Sequence, residues 1–266
     1  MSHRLLHSAA SLLRRARLLG AADSALYVRS LLRERQANAR FRAAHPDFVV
    51  PPAHLAFDAY GNVNNEAYVA SGEAHARMIA DIINRHLSGE EIRVCEWGCG
   101  PARVIRHLGR HLNRSRARLY GTDYNRETIA WASKHLEGIE FLPNELAPPL
   151  PFEDGYLDCV YAISVFTHLS ERSHFEWINE LRRVLRPGGI IAVTTHSDAS
   201  AARLLAEEGA RYAEGKLVVR GQVREGKKWY LAYQPPEFMR DRLLVDWTIL
   251  GNFPFSTTQE VWIARP

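Results

Sequence analysis

The sequence predicts an α/β fold, a mostly parallel sheet with helices on both faces, preceded by a helical extension. Three observations predict it. From Ile92 onward, short apolar runs alternate with stretches of helical period, the pattern that parallel strands and crossover helices leave in a chain. Those runs end in polar residues or glycine, as strands do where a sheet opens onto a ligand crevice. Ahead of Ile92 the pattern is helical and is broken at His45-Pro46 and Pro51-Pro52.

In chain order, residues 4–19 set Leu5, Leu6, Leu12, Leu13, Leu18 and Leu19 about a heptad apart, with Arg14, Arg15 and Arg17 between them. This is a basic amphipathic helix. It has three readings: packing on its own domain or on a partner subunit, as in a homodimer; lying on a membrane surface; or serving as an Arg- and Ser-rich transit peptide. Residues 21–42 continue as helix until the prolines, which cannot continue one. Residues 57–70 are aromatic and turn-rich, and an amphipathic helix is expected over about 72–87. Strands are expected at 92–97, 118–122, 139–142, 157–163 and 189–195, with helices near 102–112, 126–136 and 171–185. In the tail, 200–208 reads as helix. Residues 216–220 and 229–233 read as strands or a hairpin about Arg224-Glu225-Gly226-Lys227, and 243–250 and 260–264 as two final strands. The expected division is a basic arm and lid over 1–70 and an α/β domain over 71–266.

The length of 266 residues suits one α/β domain with extensions. Net charge is +4, unevenly placed: residues 1–45 carry nine Arg against Asp23 and Glu34, and the remainder is net negative. The basic character belongs to the arm, so nucleic acid is not the expected partner. Cys95, Cys99 and Cys159 form no Cys-x-x-Cys pair, which argues against a disulfide framework or a zinc site. Cys95 and Cys159 lie inside apolar runs and read as core. No apolar run reaches membrane-spanning length, and no secretory signal pattern is present. A cytoplasmic protein is expected, with the arm as its point of contact with the inner membrane surface or a partner.

The sharpest signal is Val94-Cys95-Glu96-Trp97-Gly98-Cys99-Gly100-Pro101-Ala102-Arg103, where an apolar strand turns into a helix. Gly98 and Gly100 permit a tight turn and close approach of a ligand. Pro101 suits a first helical turn, and free N–H groups there favour a carboxylate or phosphate. A dinucleotide turn would need glycine at 103, where Arg103 stands. Glu96 would repel a pyrophosphate but suits a cationic methionyl amine. The charge logic favours S-adenosylmethionine over NAD.

On these residues the sequence resembles the Rossmann-like (class I) S-adenosylmethionine-dependent methyltransferases. Their acid-x-Gly-x-Gly-x-Gly motif is met by Glu96, Gly98 and Gly100, with Ala102 in place of the last glycine. The resemblance implies a seven-stranded sheet and S-adenosylmethionine as cofactor. It covers about 92–195, and further features follow in order. Asp123 ends the second strand, where an acid accepts ribose hydroxyls, and Tyr124 packs on adenine. Asn144, with Glu145 beside it, resembles the family's polar residue at the adenine amino group. Leu150-Pro151-Phe152 before strand four, and Leu185-Arg186-Pro187-Gly188-Gly189 as the turn before strand five, complete the set. Singly these are weak: Asp123 alone reads as a helix cap and Asn144 alone as an Asx-turn. Ser164 is expected at the sulfonium end.

Methyl transfer from a sulfonium is an in-line displacement that needs positioning and exclusion of water. A hydroxyl acceptor also needs a general base, and His168 and His196, after strands four and five, are the two candidates. Tyr60, Asn64, Tyr68, Trp229, Tyr230 and Tyr233 are candidates for the acceptor pocket. Residues 57–75 are a candidate lid, with Gly61 and Gly72 as flexible points. The plain alternative is that these aromatics pack arm against core. Pro51-Pro52, Ala70-Ser71-Gly72, Pro148-Pro149-Leu150 and Ser164-Val165-Phe166-Thr167-His168-Leu169 are similar to segments of bacterial polysaccharide- and glycan-associated methyltransferases. That resemblance implies a sugar or glycan hydroxyl as acceptor. The alternatives are a natural-product O- or N-methyltransferase acting on a small molecule, and a binding module without turnover. No metal ligand cluster is visible, and no Asn-Pro-Pro-Tyr base-methylation signature.

Overall fold

The computed structural model describes residues 19–266. The basic amphipathic helix expected over 4–19 lies outside them save for Leu19. Three helices come first: α1 (Leu19–Ala44), α2 (Ala53–Tyr60) and α3 (Asn65–His86). Gly61 ends α2 in the left-handed conformation, its N–H closing on the Phe57 carbonyl. The Asn64 side chain caps α3 by accepting from the Ala67 N–H, the usual service of a short polar side chain at that position. α3 runs unbroken across residue 70, where the arm was expected to end.

The alternating half then follows as β1 (Glu91–Trp97), α4 (Ile105–Leu108), β2 (Arg116–Asp123), α5 (Arg126–His135), β3 (Ile139–Pro143), β4 (Leu157–Ala162), α6 (Glu171–Val184) and β5 (Leu185–His196). The tail adds α7 (Asp198–Ala201), α8 (Ala206–Ala213), β6 (Val218–Arg220), β7 (Leu231–Tyr233), α9 (Pro236–Phe238), β8 (Thr248–Pro254) and β9 (Gln259–Arg265). The main sheet has seven strands in the order β3-β2-β1-β4-β5-β9-β8. β9 runs antiparallel to both its neighbours, and the others are parallel. This is the fold the sequence predicts, with β6 and β7 as a separate hairpin.

The central strands read as apolar runs because helices cover both of their faces; every residue of β4 is buried. On one face, Ala76, Ile79, Ala80 and Ile83 of α3 join Ile105 of α4 and Ile129 of α5. On the other, Trp177, Ile178, Leu181 and Val184 of α6 pack with Phe238, Met239 and Leu243 from the tail. The α6 spacing is the one-faced stripe of a surface helix, with Ser170 as its cap and Arg182 and Arg183 in its last turn.

The structure corrects five local expectations, the first being the helix expected over 200–208, which is split into α7, ending at Ala201, and α8, starting at Ala206. The helix expected near 102–112 begins only at Ile105, because Ala102 sits in a left-handed turn at φ 56°. Leu243 and Leu244 end a helical turn spanning Met239–Leu243 and do not start a strand. An apolar run of that length has no period that separates strand from buried helix. Residues 186–189 bulge from β5, whose pairing with β4 passes from Leu157–Leu185 to Cys159–Ile190. Gly72 is no hinge, since it lies inside α3, and an added Cβ would collide with the Arg103 carbonyl. Its role is to let α3 lie against the turn before α4, where the Tyr68 hydroxyl donates to the Pro101 carbonyl at 2.6 Å. Cys95 and Cys159 are free and fully buried, as expected of core residues.

Candidate cofactor and acceptor site

The carboxyl ends of four strands meet at one cleft. Gly98 and Gly100 enter after β1, Asp123 and Tyr124 at the end of β2, Asn144 and Glu145 after β3, and Ser164 after β4, with His168 beyond it. Of the residues the sequence nominates, Glu96 and His196 do not line this cleft.

The turn after β1 is held by its own N–H groups. Gly98 and Cys99 both donate to the Thr122 carbonyl, at 2.8 and 2.9 Å, and Gly100 donates to Asp123 Oδ2 at 2.8 Å. Gly98 has φ 73°, and a Cβ there would collide with Val165, so this position requires glycine on both counts. Ala102 holds a left-handed φ of 56° in the third glycine's place. That costs about 1–2 kcal/mol and keeps the motif's backbone shape.

Glu96 is a correction. It was expected to face a methionyl amine, with free N–H groups nearby for a carboxylate. It is 3% exposed beneath the turn, where its Oε2 accepts from the Ile105 N–H at 3.0 Å and the Tyr161 hydroxyl at 3.1 Å. The first N–H of α4 is therefore already satisfied by the chain's own acid, as buried helix starts require. Burial pushes the Glu96 pKa up from 4.5 to about 8, with the Tyr161 hydrogen bond opposing. The folded chain thus keeps a proton that the unfolded chain releases at lower pH, so stability should fall as pH rises from about 4.5 to about 8. Glu96→Gln is expected to flatten that part of the curve of unfolding free energy against pH. An unchanged slope across the window would assign the dependence to another group.

Asp123 is 9% exposed. Its Oδ2 accepts from Gly100 and its Oδ1 from the Asn125 N–H, both at 2.8 Å. Burial raises its pKa. Asn125, and not Asp123, caps α5, which leaves the Asp123 carboxylate to the cleft. Asn144 donates through Nδ2 to the Glu145 carbonyl at 2.6 Å, while its Oδ1 is buried without a partner. An orphaned buried acceptor fits an amino donor such as that of adenine. Trp177 steadies this segment by donating to the Leu146 carbonyl at 3.1 Å. Glu145 turns its carboxylate outward to Arg126, 2.6 Å away. Ser164 is left-handed at φ 62° and accepts from Gln259 at 2.6 Å.

The two histidines part company. His168 donates from Nδ1 to the Tyr230 carbonyl at 2.7 Å, which fixes the tautomer and leaves Nε2 with its lone pair. Burial lowers its pKa from 6.5, so the imidazole is neutral at neutral pH. His196 lines neither the cofactor cleft nor the cleft beside it. Its Nδ1 donates to the Ala232 carbonyl at 2.7 Å, its ring stacks on Tyr233 with centroids 4.5 Å apart, and burial lowers its pKa to about 4. The general-base expectation for His196 is dropped on these grounds.

A second cleft adjoins the first. Ala59, Tyr60, Arg103, Ser164, His168 and Lys228 line both. Tyr60, Asn64, Tyr68 and Trp229 line the second as expected, whereas Tyr230 and Tyr233 are buried behind it, 6% and 3% exposed. The Tyr60 hydroxyl is buried without a partner, and a Cβ on Gly100 would lie 3.1 Å from it.

The loop between β6 and β7 runs along the cofactor cleft as a strap, with Gly226 and Lys228 in its lining. Gly226 donates to the His168 carbonyl at 3.0 Å and accepts from the Tyr124 hydroxyl at 3.1 Å. Lys227 pairs with Asp58 at 3.5 Å and Lys228 with Asp23 at 2.8 Å. Trp229 Nε1 donates to Asp23 at 3.2 Å. Sequence reasoning found this hairpin but not its function, although two lysines and a tryptophan beside a glycine were the available signal. It also used Arg103 only to reject a dinucleotide. The structure sets that guanidinium over the Tyr60 ring, 4.9 Å from its centroid, and bonded to Ser71 at 3.1 Å.

Comparison with known proteins agrees with this geometry. Residues 95–193 match a family model described as a methyltransferase domain. A probable S-adenosylmethionine-dependent methyltransferase of Mycolicibacterium smegmatis is 33% identical over 105 residues, 38% of this chain and 37% of that protein. Trans-aconitate 2-methyltransferase of an Azoarcus species is 27% identical over 133 residues, 49% of each. The chain thus spans half or less of the length of these curated relatives. A solved S-adenosylmethionine-dependent methyltransferase from Aquifex aeolicus shares the fold with TM-score 0.52 at 15% identity, covering 81% of this chain and 98% of that one. Residues 95–193 are a methyltransferase domain, and its cofactor is S-adenosylmethionine.

Proposed function

We propose, from the premise that residues 95–193 form an S-adenosylmethionine-dependent methyltransferase domain, that the whole chain methylates a hydroxyl of a sugar or glycan. The observation that carries this reading is His168: a neutral imidazole, its Nδ1 tied to Tyr230, lining both clefts. When bound, S-adenosylmethionine supplies a methyl group already activated on a sulfonium. The chain's part is to hold, orient and take up a proton. Asp123 takes the ribose hydroxyls, Asn144 Oδ1 the adenine amino group and Arg103 the methionyl carboxylate. His168 Nε2 accepts the acceptor's hydroxyl proton. The hydroxyls of Ser30 and Tyr60, which line the second cleft and have no partner among the described residues, suit a polyhydroxylated acceptor.

One observation favours a second reading, in which the methyl goes to the carboxylate of a small molecule. The Azoarcus relative is named for trans-aconitate, and the second cleft is rich in cations. A carboxylate needs no base. The test is calorimetric titration with S-adenosylmethionine, S-adenosylhomocysteine and NAD, followed by transfer of labelled methyl from the first to a panel of sugars and small acids. Selective binding of the adenosyl ligands and label in an alkali-stable ether are expected. Label in an alkali-labile ester would favour the second reading, and binding of NAD alone would overturn both.

A further inference from the structure

Resting on the reading of the second cleft as the acceptor side, we propose that the acceptor carries an anionic group, a carboxylate or a phosphate, and that Arg29 and Arg33 of α1 hold it. Leu26, Arg29, Ser30 and Arg33 all line this cleft. They recur at the i, i+3, i+4, i+7 spacing of a single helix face, so the arm forms a wall of the cavity. Apart from Arg103, which is assigned to the methionyl carboxylate, three cations among the described residues line the cleft, Arg29, Arg33 and Lys228, against one carboxylate, Asp23. That carboxylate is engaged by Lys228 at 2.8 Å and by Trp229. Arg103 donates to neutral partners, Ser71 and His75. Arg29 has no ion pair among the described residues.

Arg33 is oriented from behind. Its Nε donates to Glu34 at 2.6 Å, and Glu34 is itself held by Asn64 at 2.5 Å. The two terminal nitrogens are left to the cleft, a planar fork that matches two oxygens of a carboxylate or phosphate. Arginines on an exposed helix face are by themselves only a solvated surface. Two buried groups argue for more: Ser30 Oγ in this cavity wall, and Tyr60 OH where the two clefts meet, have no hydrogen-bond partner among the described residues. Leaving such groups unpaired is costly, and an oxygen-rich ligand would pair them. Charge and hydrogen-bonding capacity thus point to the same occupant, an anionic polyol or polyacid.

The experiment uses the full chain saturated with S-adenosylhomocysteine. Glucuronate, glucose 6-phosphate and glucose are titrated at matched ionic strength, into the unaltered chain and into Arg29→Gln/Arg33→Gln. One or both anionic sugars are expected to bind about tenfold or more tightly than glucose, and the better of the two identifies the carboxylate or the phosphate. The double variant should lose that preference while its affinity for S-adenosylhomocysteine is unchanged. Equal binding of glucose, no anion binding up to about 10 mM, or a double variant that keeps the preference would overturn the proposal. Failure of S-adenosylhomocysteine to bind at all would instead overturn the methyltransferase reading beneath it.

Discussion

Asp123→Asn is expected to weaken binding of S-adenosylmethionine and S-adenosylhomocysteine alike by about a hundredfold or more. The carboxylate is oriented before any ligand arrives, because Gly100 and Asn125 each hold one of its oxygens at 2.8 Å. Each oxygen keeps a lone pair for a ribose hydroxyl. Hydrogen bonds to a charged group are worth about 1.5–3 kcal/mol each, so losing two charge-assisted contacts accounts for at least that hundredfold. The amide would also turn an NH2 toward one of the two backbone donors, loosening the glycine turn. Titration calorimetry on the folded variant measures the effect. Both ligands carry the same ribose, so a loss confined to one of them would remove Asp123 from the ribose role, as would unchanged binding of both.

The second large effect is expected at His168. His168→Ala should lower kcat by about 10²–10⁴-fold and leave the affinity for S-adenosylhomocysteine nearly unchanged, because the ring lies where the two clefts meet, away from Asp123 and Asn144 on the other strand ends. Burial lowers the pKa from 6.5, so the base form persists through neutral pH. Activity should therefore rise with pH through a limb whose midpoint lies below 6.5 and then level off. The alanine variant should lose that limb. An unchanged kcat, or the same limb in the variant, would mean that positioning alone drives the transfer, as a carboxylate acceptor would allow.

The core of the fold was legible because its signals are local. Strands buried on both faces carry their burial in their own composition, as Leu157–Ala162 does, and the glycine turn after β1 declares itself within a few residues. What failed depends on partners far away in the chain. Glu96 looked like a ligand for an amine until Tyr161 and Ile105 were seen to occupy it. His196 and His168 are indistinguishable as residues after strands, and only the fold shows one of them lining the cleft and the other bonded to Ala232 and stacked on Tyr233. The strap joins Gly226 to Tyr124 across 102 positions, a contact no periodicity encodes. Leu243 and Leu244 were misread because apolar character fixes burial but not backbone shape.

The roof over the site comes from outside the segment that makes its floor. Asp23, Arg29, Arg33 and Asn64 precede residue 95, and Lys228 and Trp229 follow residue 193, while the floor of glycine turn, Asp123 and Asn144 lies between. If the second cleft takes the acceptor as proposed, most of the recipient's wall is written outside the stretch that holds the donor, with Arg103, Ser164 and His168 shared between the two. Under that reading, substitutions in α1, which lines only the second of the two clefts, would retarget the chemistry without disturbing the cradle beneath. Kinship drawn from the middle stretch alone transmits what is given and is silent about who receives it.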